Sequence, residues 1–104
     1  MTGFVRSAGC DLYYEDAGAG VPILLVHPAG ATASTWGSVA GELARIGRMI
    51  AYDRRGYARS GGGPPRSISV HTADAAAMLE SLQASPAVVV GTSEIGRASC
   101  RERV

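Results

Sequence analysis

Ala87-Val88-Val89-Val90 runs straight into Gly91-Thr92-Ser93. Four apolar residues without polar alternation describe a strand covered on both faces, and a glycine followed two places later by serine describes a sharp turn at its end. The same grammar occurs twice upstream. Ile23-Leu24-Leu25-Val26 leads into His27-Pro28-Ala29-Gly30, and Met49-Ile50-Ala51-Tyr52 leads into Asp53-Arg54-Arg55-Gly56-Tyr57-Ala58-Arg59-Ser60. Three buried runs, each ending in a loop rich in glycine or polar residues, predict strands of a parallel sheet with their loops at one edge.

The intervening segments supply the crossovers that parallel strands need. Trp36, Val39, Ala40, Leu43 and Ala44 recur at helical spacing, and Gly47 ends that helix. Ala73, Ala76, Ala77, Leu79 and Leu82 mark a second helix, with Ser69 or Thr72 as its cap. Between the second strand and this helix, Gly61-Gly62-Gly63-Pro64-Pro65 cannot continue regular structure and reads as a surface loop. Upstream of the first run, Phe4-Val5-Arg6 and Leu12-Tyr13-Tyr14-Glu15 predict an antiparallel hairpin turning through residues 7–11. Ala17 to Gly20 is the next turn. The fold class is therefore α/β, with an opening hairpin, then parallel strands and flanking helices.

At 104 residues the chain is one domain at most, with no internal repeat. Lysine is absent, and residues 1–93 carry seven arginines against seven acids, so no basic patch argues for nucleic acid. The richness in alanine, glycine and arginine fits a GC-rich bacterial source. The longest apolar run, Val21 to Val26, is far too short to cross a bilayer, and no leader pattern opens the chain, so a cytoplasmic protein without a membrane partner is expected. Cys10 and Cys100 are the only cysteines. Cys10 fits a small residue in or beside the hairpin turn, and no disulfide is expected.

The order of the three loop motifs carries more than any one of them. A His-Pro-Ala-Gly loop, an Asp-Arg-Arg-Gly-Tyr-Ala-Arg-Ser segment and Gly-Thr-Ser, each after a buried strand, resemble the α/β-hydrolase superfamily, whose third motif is the G-x-S-x-G nucleophile elbow. The resemblance covers Leu12 to Ser93. It implies the N-terminal part of an α/β-hydrolase fold and a serine hydrolase of its serine-nucleophile branch, needing no cofactor and acting on a small-molecule ester or related acyl compound.

On that resemblance Ser93 is the nucleophile. A hydroxyl at a tight strand-to-helix turn projects clear of the sheet, but it attacks a carbonyl only when a histidine takes its proton and a carboxylate orients that histidine. In the family both partners follow the serine in the chain. The backbone amides of Ala29 and of position 94, here Glu94, would form the oxyanion hole; Pro28, standing where glycine is usual, has no amide proton to give. His27 has a structural role in the family and is read as structural here. Asp53, Arg54 and Arg55 brace a loop in the family, and Ala58 stands where glycine is common. His71 reads as a surface or capping residue. Relatives that open epoxides or remove halide place aspartate at the position of Ser93, which disfavours those reactions. An acyltransferase, a cofactor-free haloperoxidase-like enzyme and a non-catalytic binding module on the same fold are the alternatives. No Cys or His cluster has metal-ligand spacing.

After Ser93 the elbow pattern breaks: Glu94-Ile95 stands where a small residue and glycine are wanted. Back-translated with permitted codons, Glu94 to Val104 resembles a widely used sequencing adapter. Residues 1–93 are accordingly expected to be the N-terminal part of a hydrolase domain, and residues 94–104 a non-native tail. The expected consequences are an unpaired edge on the strand before Gly91, a tendency to aggregate, and no turnover by the chain as written.

Overall fold

The computed structural model describes residues 1–28, 31–61, 68–91 and 100–103. The elements are β1 (Thr2–Ser7), β2 (Cys10–Gly18), β3 (Pro22–Val26), a 3₁₀ turn (Ala33–Trp36), α1 (Gly37–Ile46), β4 (Arg48–Tyr52), α2 (Ile68–Ser81), β5 (Val88–Gly91) and β6 (Cys100–Arg103). They form a mixed sheet of order β1-β2-β4-β3-β5-β6. β4, β3 and β5 run parallel, while β1, β2 and β6 join antiparallel.

The hairpin is tighter than the sequence suggests. Ser7 pairs with Cys10, so Ala8-Gly9 alone makes the turn, and both sit at positive φ (45° and 79°) as a twisted two-residue hairpin requires. β2 also runs on to Gly18, pairing Ala17 with Met49 and Gly18 with Arg48, where a turn was expected from Ala17. Gly18 has φ +87°, and a Cβ there would collide with the carbonyl oxygens of Gly47 and Ala44. The end of α1 can therefore rest on the β2–β3 connection only because that position is glycine. Gly47 does end α1, its amide donating to the Leu43 carbonyl at 3.0 Å.

The apolar runs are explained by burial on two faces. Leu24, Ile50 and Tyr52 pack with Met78 and Leu79 of α2, together with Val5, Leu12 and Tyr14 of the hairpin. Ile23, Leu25, Met49 and Ala51 point the other way, against Trp36, Ala40, Leu43 and Ala44. Each strand residue thus has an apolar partner whichever side it faces, which removes the polar alternation of a one-faced sheet.

Several expectations need correction. α2 begins at Ile68, so Ser69 and Thr72 lie within the helix instead of ahead of it. Its inward face contains His71, Asp74, Ala75, Met78 and Leu79, with Leu82 packed on the core just beyond its end, whereas Ala73 and Ala76 are exposed. A stripe read from apolar residues alone missed the inward turn because an aspartate sits at its centre. Val39 is half exposed at 50%, since it borders a recess of about 230 Å³ with Pro28, Thr35 and Trp36 rather than packing on the sheet. The far edge of β5 is not open: β6 pairs with it from Val88↔Arg103 to Gly91↔Cys100. An edge of unpaired amides and carbonyls accepts any extended segment within reach, whatever its side chains.

Candidate active site

The first crossover leads from β3 to β4 on one side, and the second leads from β4 back across β3 to β5 on the other. Such a reversal leaves a crevice at the carboxyl ends of the strands that flank it, where open α/β sheets bind ligands. Val26 at the end of β3 is in register with Gly91 at the end of β5, and with Tyr52 at the end of β4. The carboxyl ends of all three strands therefore lie side by side. Among the sequence-based site residues, Ala29, Ser93 and Glu94 lie outside the described residues, and so do residues 62–67 of the glycine-proline loop and positions 95–99 and 104 of the tail.

The loop after β4 grips the loop after β3 at both ends. His27 is 1% exposed; its Nδ1 stands 2.7 Å from the Pro28 carbonyl oxygen, and its Nε2 accepts the Arg54 amide at 2.8 Å. These partners assign the proton to Nδ1 and leave Nε2 as an acceptor, so the ring is neutral and has no lone pair to offer a nucleophile. Burial pushes its pKa below the ordinary histidine value, in the same sense. The Arg54 guanidinium donates to the His27 carbonyl at 3.0 Å, and Tyr57 packs its ring edgewise on His27 with centroids 5.3 Å apart. The structural reading of His27 holds.

At the other end Asp53, fully buried, accepts the Ala33 amide on Oδ1 at 2.7 Å. Its Oδ2 accepts the amide and Nε of Arg59 at 3.0 and 2.9 Å. Burial works to raise its pKa, but the hydrogen bonds from Arg59 and Ala33 outweigh it and hold the carboxyl below the ordinary value. Ser60 donates to the Asp53 carbonyl and accepts the Tyr13 amide, so the motif's last residue ties the loop back to β2. Asp53 and Arg54 thus act as braces, as the resemblance implied. Ala58 adopts φ +43°, the left-handed conformation for which glycine is better suited.

Arg55 serves a different contact. Its Nε donates to Asp74 Oδ2 at 2.8 Å and one terminal nitrogen donates to Asp74 Oδ1 at 2.9 Å, a bidentate pair shielded from water. The same nitrogen reaches the Ser7 carbonyl at 2.7 Å, and the Ser7 hydroxyl donates to Asp74 Oδ1 at 2.7 Å. Three distant segments, the hairpin, the loop after β4 and α2, are thereby joined by one buried polar knot. Sequence reading missed Ser7 and Asp74; the available signal was a lone acid within an Ala, Met and Leu helix. His71, expected at the surface, is half-buried, with Nε2 3.0 Å from an Arg54 terminal nitrogen.

Among the described residues no group of three or more His, Cys, Asp or Glu side chains is arranged to hold a metal ion, and no helix is long and apolar enough to cross a membrane. Cys10 is buried beside the hairpin turn, donating to the Gly61 carbonyl at 2.9 Å.

Comparison with known proteins agrees with this architecture. The model of a family described as "Alpha/beta hydrolase family" matches residues 23–96. The chain is 34% identical over 94 residues to "Uncharacterized hydrolase YraK" of Bacillus subtilis, covering 88% of this chain and 35% of that protein. It is 37% identical over 92 residues to a "Putative non-heme chloroperoxidase" of Synechocystis, covering 85% and 33%. The solved structure of Est816, titled "an N-Acyl homoserine lactone degrading enzyme", superposes with a TM-score of 0.78 at 32% identity, covering 84% of this chain and 34% of that one. Similar proteins include esterases, haloperoxidases and epoxide hydrolases. The chain spans about a third of the length of the curated relatives it matches.

Proposed function

Since this chain belongs to the alpha/beta hydrolase family, we propose that the full-length protein containing it is a serine hydrolase with Ser93 as nucleophile. Ser93 Oγ attacks the carbonyl carbon of an ester or related acyl compound. The amides of Ala29 and of the residue at position 94 donate to the oxyanion that forms. Collapse of the tetrahedral intermediate expels the alcohol and leaves an acyl-enzyme, which water then cleaves to regenerate the serine.

The observation that carries this reading is the pairing of Val26 with Gly91, which sets side by side the ends of β3 and β5, the strands that precede His27 and Ser93 in the sequence. The bonds of His27 and of Ala33 hold the described ends of the loop after β3, and oxyanion stabilisation needs donors that are in place before charge develops. The proton acceptor comes from elsewhere in the full-length protein: the bonds of His27 occupy both its ring nitrogens. Residues 94–104 are, in this reading, foreign to the hydrolase sequence.

Labelling of the full-length protein by a serine-directed fluorophosphonate tests the proposal. Ser93→Ala should abolish labelling while leaving the far-UV circular dichroism spectrum unchanged. Undiminished labelling of that variant would assign the nucleophile elsewhere. Similarity to proteins named as chloroperoxidase and haloperoxidase favours a second activity on the same serine, cofactor-free peracid formation from a carboxylic acid and peroxide. Halide oxidation by the full-length protein, dependent on added carboxylate, would identify it.

A further inference from the structure

Arg54 ties α2 to the loop after β3. Its amide donates to His27 Nε2 at 2.8 Å, one terminal nitrogen donates to the His27 carbonyl at 3.0 Å, and the other stands 3.0 Å from His71 Nε2. A guanidinium offers donors only, so His71 Nε2 is the acceptor and the proton of its neutral ring sits on Nδ1. The guanidinium is a rigid planar fork, so the acceptor held by one prong fixes the direction of the other. The connection continues past His27. Its Nδ1 stands 2.7 Å from the Pro28 carbonyl oxygen, which also accepts the Ala31 amide at 3.2 Å. That oxygen belongs to the planar peptide unit that carries the amide of Ala29.

We propose that His71 is a positioning residue for the oxyanion-binding loop, acting through Arg54: the neutral ring holds the fork on the His27 carbonyl, and the protonated ring releases it. This rests on the roles given above to Ser93 and Ala29. A proton on Nε2 would turn a donor toward a donor and set a second positive charge beside the guanidinium, so the 3.0 Å contact is lost. The fork then keeps one acceptor in place of two, and the His27 carbonyl loses the partner that fixed it. Charged and titratable groups meet His71 from the loop after β4, from β4 and from its own helix. Arg54 opposes the added charge. Tyr52, with which His71 lines a recess, has its phenol pushed up by burial and stays neutral. Asp74, three places along α2, attracts the charge, but its carboxylate already accepts from Arg55 and Ser7. The hydrogen bond given up on protonation is therefore the one to Arg54.

The rate at which a fluorophosphonate labels the full-length protein, followed against pH, tests it. The comparison is with His71→Gln, whose side-chain oxygen accepts from Arg54 and does not titrate. Ionisations common to both proteins, that of the triad histidine included, cancel in the ratio of unsubstituted to His71→Gln rates. That ratio should fall at least about threefold from pH 8 to pH 5, the range in which histidine changes charge. A ratio that stays level with pH overturns the proposal. Ser93→Ala separates this outcome from failure of the serine assignment: a label retained in that variant refutes the nucleophile, whereas a label lost there with a level ratio refutes His71 alone. If His71→Gln does not fold, the imidazole nitrogen resonances of His71 in the unsubstituted full-length protein decide. A proton on Nδ1 at pH 8 supports the proposal, and a proton on Nε2 at that pH overturns it.

Discussion

His27 shows how a residue type that suggests chemistry can be spent on structure. Its Nδ1 serves the Pro28 carbonyl and its Nε2 serves the Arg54 amide, so protonation would turn Nε2 into a donor facing another donor. The folded-state pKa is lowered by burial, and the sign of the pH effect follows. Below the unfolded value of about 6.5 the unfolded chain binds a proton that the folded chain refuses, so stability declines as pH falls through that region. Asp53 and Asp74 add a second decline lower down. Their folded pKa values are depressed by hydrogen bonds that overcome burial, so their contribution is complete above the unfolded value of about 3.9 and is lost as pH falls through their folded values. Urea unfolding from pH 8 to pH 5 should show the first decline in the unsubstituted chain and a flatter profile in His27→Asn, itself less stable at pH 8. Equal slopes for the two chains would contradict this assignment. The residue type of His27 was legible in the sequence, but its role was separable from that of a catalytic base only through the family resemblance. The two hydrogen bonds that decide the matter depend on Arg54, 27 positions away, and on the carbonyl of Pro28.

At the scale of elements, the strands were legible because burial on both faces leaves an unbroken apolar run, as in Ile23 to Val26 and Met49 to Tyr52. α2 was legible as a helix, with Leu79 and Leu82 read correctly as inward and Ala73 and Ala76 not. Its inward face turns on Asp74, and the reason for burying an acid there is an arginine and a serine supplied by two other segments. No periodicity within the helix can report such a partner. The knot is also where α2 is most vulnerable. Asp74→Ala would leave the Arg55 guanidinium buried without its counter-charge, at a cost of about 3–5 kcal/mol. Arg55→Met combined with Asp74→Leu should cost markedly less, since it removes both charges and retains bulk. Denaturant midpoints for the two variants check the ordering, and a double variant as unstable as Asp74→Ala would show that the cost comes from the lost hydrogen bonds and not from an uncompensated charge. The tail was misjudged for a related reason: strand preference in Cys100 to Arg103 is negligible, and its pairing is dictated by β5.

For the whole molecule, the 104-residue chain brings together the ends of β3, β4 and β5, yet no histidine follows Ser93 in its sequence. Removal of triad members from a serine hydrolase costs several orders of magnitude in rate. The chain should therefore show no ester turnover above buffer with a p-nitrophenyl ester, while the full-length protein does. Turnover by the short chain that is lost in Ser93→Ala would mean that an acceptor lies within it.

The strand order has a bearing on synthesis. β1, β2, β4 and β3 are contiguous in the sheet, and all of their mutual pairings are complete within residues 2–52. A nascent chain that has cleared the ribosomal tunnel to Tyr52 can already close four neighbouring strands. Leu24 and Leu25 then wait, with one flank of β3 bare, until residues 88–91 are translated and dock beside them. The strand that borders the proposed catalytic crevice is thus the last of these three parallel strands to arrive, and the oldest part of the chain must hold its shape through all the intervening elongation before that crevice can exist.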